Sequence, residues 1–249
     1  MESNLKAGFL EKWNKYFPGQ ELPITFYYTD EAGHGEAAAV ANEWRCFICD
    51  LGKVRNGRPI SFSADAVGCG GGKRNLGFEY ETGPDFEYFL SCGIPGKLEG
   101  IRYKKTPELV RAQYSNQPRF DAPGRNIVFK RWDLLDEADQ PEVVIFFARP
   151  DILAGLYTLA GFDESAPDTV ITPFAAGCGT IVRYPYQELS TDRHRAILGM
   201  LDISARVYVP PGVLSFAVTW PKFVRMLDSI EESFLITPSW DKVKSRFGR

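Results

Sequence analysis

Two hydrophobic rhythms run along the chain. Leu5, Phe9, Leu10, Trp13 and Phe17 recur at helical spacing with Lys6, Glu11, Lys12 and Lys15 between them, which predicts a helix over 5–17 stopped by Pro18-Gly19. Pro23 to Tyr28 is β-branched and aromatic and predicts a strand. Gly33-His34-Gly35-Glu36 reads as a loop, Trp44 to Lys53 as a helix, and Asn56-Gly57-Arg58-Pro59 as a turn before a short strand over Ile60 to Ala64. Helices are expected over Pro84 to Ser91 and Thr106 to Ser115, the second opened by a proline in its first turn.

The second half is more regular. Asn126 to Trp132 predicts a strand, and Val143 to Ala148 is a continuous apolar run, as in a strand buried on both faces. Pro150 opens a helix that Gly161 closes, and Val170-Ile171-Thr172 begins the next strand. Strands or strand ends are expected at Ala196 to Leu201, Ala205 to Val209 and Leu214 to Trp220, then helices from Pro221 and Ser239. No low-complexity linker divides residues 1–249, so the pattern predicts one α/β (or α+β) domain with a mixed β-sheet flanked by helices.

A chain of 249 residues can bury a core without covalent staples. A net charge of −3 gives no electrostatic case for nucleic acid. The longest uncharged apolar stretch, Val207 to Trp220, is broken by Pro210, Pro211 and Gly212 and is too short to cross a bilayer. No apolar leader follows Met1, and five cysteines are an odd number; free thiols in a reducing cytoplasm are expected.

The chemistry concentrates in two short loops, each with a cysteine between glycines, the second following the strand begun at Val170: Gly68-Cys69-Gly70-Gly71-Gly72-Lys73-Arg74 and Gly177-Cys178-Gly179-Thr180. Glycines let backbone N–H groups approach a ligand and can form a concave nest for an anion. Lys73 and Arg74 add two cations, although the spacing matches neither a Walker loop nor a dinucleotide fingerprint. The leading expectation is a cleft for a small anionic ligand, lined by Gly68, Gly70, Gly71, Gly72, Lys73, Arg74, Gly177, Gly179 and Thr180, with Cys69 and Cys178 facing it. That arrangement requires the two sulfurs to lie within about 10 Å, given thiolate–metal bonds of ~2.3 Å.

The same string also resembles a family. Arg45-Cys46, Gly68-Cys69-Gly70-Gly71 with Leu76-Gly77, and Glu142 to Asp151 carry the likeness. So do Ile171-Thr172-Pro173-Phe174-Ala175-Ala176-Gly177-Cys178, Asp202-Ile203-Ser204-Ala205-Arg206, and Glu232-Ser233-Phe234-Leu235 before Trp240. Over roughly 200 residues, strongest across 45–245, these motifs resemble the prokaryotic ArCR family, a domain of unknown function, with Arg149-Pro150 where the family commonly has Asn-Pro. The resemblance implies a single intracellular α/β domain and supplies no catalytic residues.

Two other uses of the cysteines are open. Cys46 and Cys49, at i and i+3 of the expected helix, with Cys69 and Cys178, are candidate ligands for a metal ion or an iron–sulfur cluster. Cys69 or Cys178 is a candidate catalytic nucleophile, for which His34 or His194 would have to serve as base. A non-catalytic interaction or structural protein is the third class. The acidic connector Asp136, Glu137 and Asp139 is expected to be solvated.

Overall fold

In the computed structural model, which describes residues 3–247, one eight-stranded mixed sheet runs through the molecule. Its strands are β1 (Ile24–Thr29), β2 (Glu36–Ala37), β3 (Ile60–Ser63), β4 (Asn126–Arg131), β5 (Val143–Ala148), β6 (Val170–Ile171), β7 (Ala196–Gly199) and β8 (Leu214–Thr219). They lie in the order β2-β3-β4-β1-β5-β8-β7-β6. Pairing is antiparallel except for β2 with β3 and β6 with β7 at the two edges. The helices are α1 (Ser3–Tyr16), α2 (Phe47–Arg55), α3 (Gly70–Asn75), α4 (Phe86–Phe89), α5 (Pro107–Ser115), α6 (Pro150–Ala160), α7 (Tyr184–Gln187), α8 (Ile203–Arg206), α9 (Trp220–Ser229) and α10 (Pro238–Lys244).

The central strand β5 shows why the fold is layered. All six of its residues are buried. Val143, Ile145 and Phe147 join one core, while Val144, Phe146 and Ala148 join the other. That division is what a period of two demands when both faces of a strand are covered. On one face α1, α6, α9 and α10 bring Phe9, Trp13, Leu156, Phe223 and Trp240 against the sheet. On the opposite face Phe47 and Leu51 of α2, with Ile181 and Val182, cover Phe26, Phe129 and Ile145. Gly155 is required in the first layer, because a Cβ there would stand 2.5 Å from the Trp240 ring.

Several expectations need correction. The helix at 44–53 starts at Phe47, with Cys46 as its cap residue, so the two thiols are not both on the helix; Cys46 is half-buried and Cys49 exposed. The segment Pro84 to Ser91 yields a single turn, α4, because Asp85 before it takes left-handed geometry (φ 59°). Ala205 to Val209 is not a strand: Asp202 caps Ser204 N–H and starts α8. The stretch around Cys178 is helical rather than a loop leaving a strand, with a buried π-helical turn at Gly179–Arg183 running into α7. Glu36 and Ala37, expected in a loop, pair with β3. Asp139 is buried, not solvated: it accepts from Tyr27 Oη at 2.5 Å and from Lys130 Nζ at 2.9 Å.

No helix among the described residues is long and apolar enough to cross a membrane.

Candidate functional site

Cys69 stands at the start of α3. Its extended backbone (φ −127°, ψ 138°) places Sγ back over the first turn, where it accepts the Gly72 N–H at 3.3 Å. The three following glycines are helical, and none has a positive φ. They therefore do not form the alternating nest that glycine runs permit. Gly72 has a packing reason instead. A Cβ there would lie 2.8 Å from both Cys69 Sγ and Val67. Gly68 is pinned similarly, 2.8 Å from the Glu43 carbonyl oxygen.

The second cysteine docks on this same turn. Cys178 Sγ donates toward the Gly71 carbonyl oxygen at 3.6 Å, and Asn75 Nδ2 reaches the sulfur at 3.4 Å. Asn75 also donates to Gly71 O at 2.8 Å, and its Oδ1 would be 2.8 Å from a Cβ on Gly179. Gly179 thus lets the π-helical turn close on α3. Because the Gly72 N–H and the Gly71 carbonyl share one peptide unit, the two sulfurs are at most about 9 Å apart. The two glycine-flanked cysteines lie within the required limit.

They do not share one surface. An open cleft of about 470 Å³ is lined by Val40, Trp44, Val67, Gly68, Cys69, Gly70 and Lys73, with the carboxylate residues Glu43, Asp65 and Glu79. Cys178, Gly177, Gly179, Thr180 and Arg74 are not among its lining residues. Cys178 is buried, and burial pushes its thiol far above the ordinary range; the neighbouring Cys69 adds to this, while the Asn75 hydrogen bond offsets part of it. Cys178 is thus an enclosed thiol directed at the Gly71 carbonyl and away from the cleft. Burial likewise raises the half-buried Cys46.

The remaining members of the second segment are structural. Gly177 N–H is held by Asp202 Oδ2 at 3.0 Å. Thr180 Oγ1 donates to the Gly177 carbonyl at 2.9 Å and accepts from Met200 N–H at 3.3 Å. Asp202 Oδ1 also receives Tyr103 Oη at 2.8 Å, tying α8 to the 78–122 excursion.

Lys73 and Arg74, adjacent in sequence, diverge. Lys73 faces the cleft with Glu79 3.7 Å from its Nζ. Arg74 is buried behind α3, its guanidinium 4.4 Å from the Phe86 ring centroid and 5.4 Å from that of Tyr114.

Among the described residues, no group of three or more His, Cys, Asp or Glu residues is placed to hold a metal ion. The set Cys46, Cys49, Cys69 and Cys178 is not assembled; Cys49 is exposed while Cys69 and Cys178 are buried. Neither histidine lines the cleft. His34 packs edge-on against Tyr27 beside Glu31 and Asp139, and His194 sits in the turn after Thr191.

Sequence patterning misses Trp44, Glu43, Asp65 and Glu79 as cleft residues, because the 40–44 and 65–79 segments are brought together by tertiary contacts such as Ala41 N–H to the Asp65 carbonyl at 2.9 Å, which no local pattern carries. It also misses Asn75, whose signal is its place four residues after Gly71 on α3, the spacing for a side-chain bond to that carbonyl.

The fold and site define a class: a mixed-sheet α/β protein with a thiol-bearing cleft at a glycine-rich helix start. The profile of the uncharacterised ArCR family, DUF169, matches residues 19–229, and the chain belongs to that family. Among curated proteins and among solved structures, none matches the chain.

Proposed function

We propose that the protein is a cytoplasmic binding domain for a small polar ligand that carries an anionic group, taken up in the cleft beside Cys69. The observation that carries this reading is the cleft itself: about 470 Å³, open, with Lys73 and Cys69 in its lining. That volume is in the range of small-ligand sites. Lys73 supplies the cation for the anionic end. Glu43, Asp65 and Glu79 supply acceptors, so the rest of the ligand carries N–H or O–H donors, as in an amino acid or a hydroxy acid. Trp44, 69% exposed, offers a flat apolar wall. The second glycine-cysteine segment supports the cleft from behind by clamping Gly71. The five cysteines are unpaired, which favours a reducing compartment.

The test is a thermal-shift screen of amino acids, hydroxy acids and phosphorylated small molecules against the wild type, Lys73→Gln and Trp44→Ala. Binding that both substitutions weaken supports the reading. Binding that neither changes removes it.

A second reading is thiol chemistry at Cys69. It is favoured by one contact, the Gly72 N–H donated to Sγ at 3.3 Å, which fixes the sulfur in the cleft wall. Rapid alkylation of Cys69 that any cleft ligand suppresses would support it.

A further inference from the structure

Among the described residues, buried charges are paired, with two exceptions. Asp50 lies between Arg45 and Lys53, Lys130 meets Asp136 and Asp139, Glu188 meets Arg195, and Lys222 meets Glu164. Arg74 and Arg183 are 7% and 3% exposed, and neither forms an ion pair with any described residue. Leaving a buried charge without an opposite charge ordinarily costs several kcal/mol.

The two arginines belong to one cluster. Arg183, on the π-helical turn, donates Nη1 to Gln117 Oε1 at 3.0 Å and Nη2 to the Pro118 carbonyl oxygen. Gln117 Nε2 in turn reaches Tyr184 Oη at 3.5 Å. Tyr114, three residues before Gln117, stacks against the Arg74 guanidinium. Arg74 Nε is buried with no hydrogen-bond partner. Aromatic faces and neutral carbonyls cover these cations without neutralising them.

We propose that Arg74 and Arg183, with the hydroxyls of Tyr114 and Tyr184, form an anion site for a compact oxyanion of the carboxylate or phosphate class, separate from the Cys69 cleft. A guanidinium fork matches both oxyanions, and two of them supply the charge for a doubly charged one. Burial raises both tyrosine hydroxyls, and the arginine beside each offsets part of that rise. Burial also pulls Arg183 below its ordinary range, and Arg74 adds to this, so an arriving anion relieves two costs together. The outer cover of the cluster is Phe86 of α4, a single turn with no buried residue, whose ring packs on Tyr114 and on the Arg74 guanidinium.

The experiment is thermal unfolding of the full chain in sodium phosphate, sodium malonate and sodium chloride at matched ionic strength. The expected result is a saturable rise in Tm with phosphate or malonate over chloride; which of the two acts separates the phosphate from the carboxylate source. The rise is lost in Arg74→Met and Arg183→Met; Arg74→Met, which removes a buried Nε that has no partner, keeps a Tm in chloride at or above that of the wild type. Lys73→Gln, which alters the cleft, keeps the rise, so failure of the cleft reading and of this one remain distinguishable. Two results would overturn the site: no saturable anion response in the wild type, which decides the matter even if a variant does not fold, or Met variants that retain the wild-type response.

Discussion

The thiol of Cys178 lies 3.6 Å from the Gly71 carbonyl oxygen, joining two segments that are more than a hundred residues apart in the chain. This contact assigns the two glycine-flanked cysteines unequal parts. Cys69 lines the cleft, whereas Cys178 is enclosed and engaged with Gly71 and Asn75, and burial pushes its thiol up. Alkylation followed by mass spectrometry should therefore label Cys49 and Cys92, both exposed, first. Cys69 should follow, and Cys178 should react only at the rate of global unfolding. Early labelling of Cys178 in native protein would contradict its assignment.

The three consecutive glycines of α3 should respond differently to alanine. A methyl added at Gly70 or Gly71 would meet nothing within 4 Å, and both residues have helical geometry, so Gly70→Ala and Gly71→Ala should raise stability by about 0.5–1 kcal/mol. At Gly72 the new methyl would meet Cys69 Sγ and Val67 Cγ1 at 2.8 Å. Gly72→Ala should cost about 1–3 kcal/mol and alter the alkylation rate of Cys69, because overpacking moves the sulfur. Denaturant midpoints for the three variants check the ordering. Equal effects at all three positions would show that Gly72 has no special packing role.

How much of this was legible in the sequence depends on the range of the forces involved. The β5 and α6 segments read correctly because their signals are local: a β-branched and aromatic apolar run, then Pro150 at the first turn and Gly161 at the stop. The segment around Cys178 read incorrectly because its helical turn is held by tertiary contacts, Asn75 against Gly179 and Asp202 on Gly177 N–H, which no local pattern carries. The glycines of the first segment drew attention for conformational freedom, yet Gly68 and Gly72 are required for close approach. Lys73 and Arg74 looked like one basic pair, but consecutive helical residues project about 100° apart, and α3 sends one to the cleft and the other into the interior. Arg183 gave no sign at all, since it lies at the end of the apolar stretch Ile181-Val182.

A second stability prediction concerns Lys222, which is buried at the start of α9. Its ammonium reaches Glu164 Oε1 at 2.7 Å, and Arg225 Nη2 reaches the same oxygen at 3.1 Å. Removing the carboxylate charge while keeping the side-chain shape leaves Lys222 unneutralised. Glu164→Gln should therefore cost about 3 kcal/mol, whereas the double variant Glu164→Gln with Lys222→Met should recover most of the loss. Chemical denaturation of the three proteins gives the comparison. A double variant no more stable than Glu164→Gln alone would place the effect in packing rather than charge.

The pH dependence of stability should carry the signature of Glu188. Burial alone would raise its carboxyl, but Arg195 outweighs that by donating from its backbone N–H at 2.8 Å and from Nη2 at 2.7 Å, with the Thr191 hydroxyl at 3.1 Å; the net shift is downward. A carboxyl lowered in the folded state binds its proton more weakly there than in the unfolded chain, whose value is about 4.3. The stability it contributes is thus complete above that unfolded value and is lost as pH falls through the lower folded one. Glu188→Gln should then be less stable than the wild type by about 2 kcal/mol at pH 7, since it leaves Arg195 without its counter-charge. The gap should narrow as the solution is taken below about pH 4, where the wild-type carboxylate is progressively protonated. Denaturant midpoints of both proteins from about pH 3 to pH 8 measure the gap directly, and a difference that stayed constant across that range would mean that Glu188 acts through shape and not through its charge.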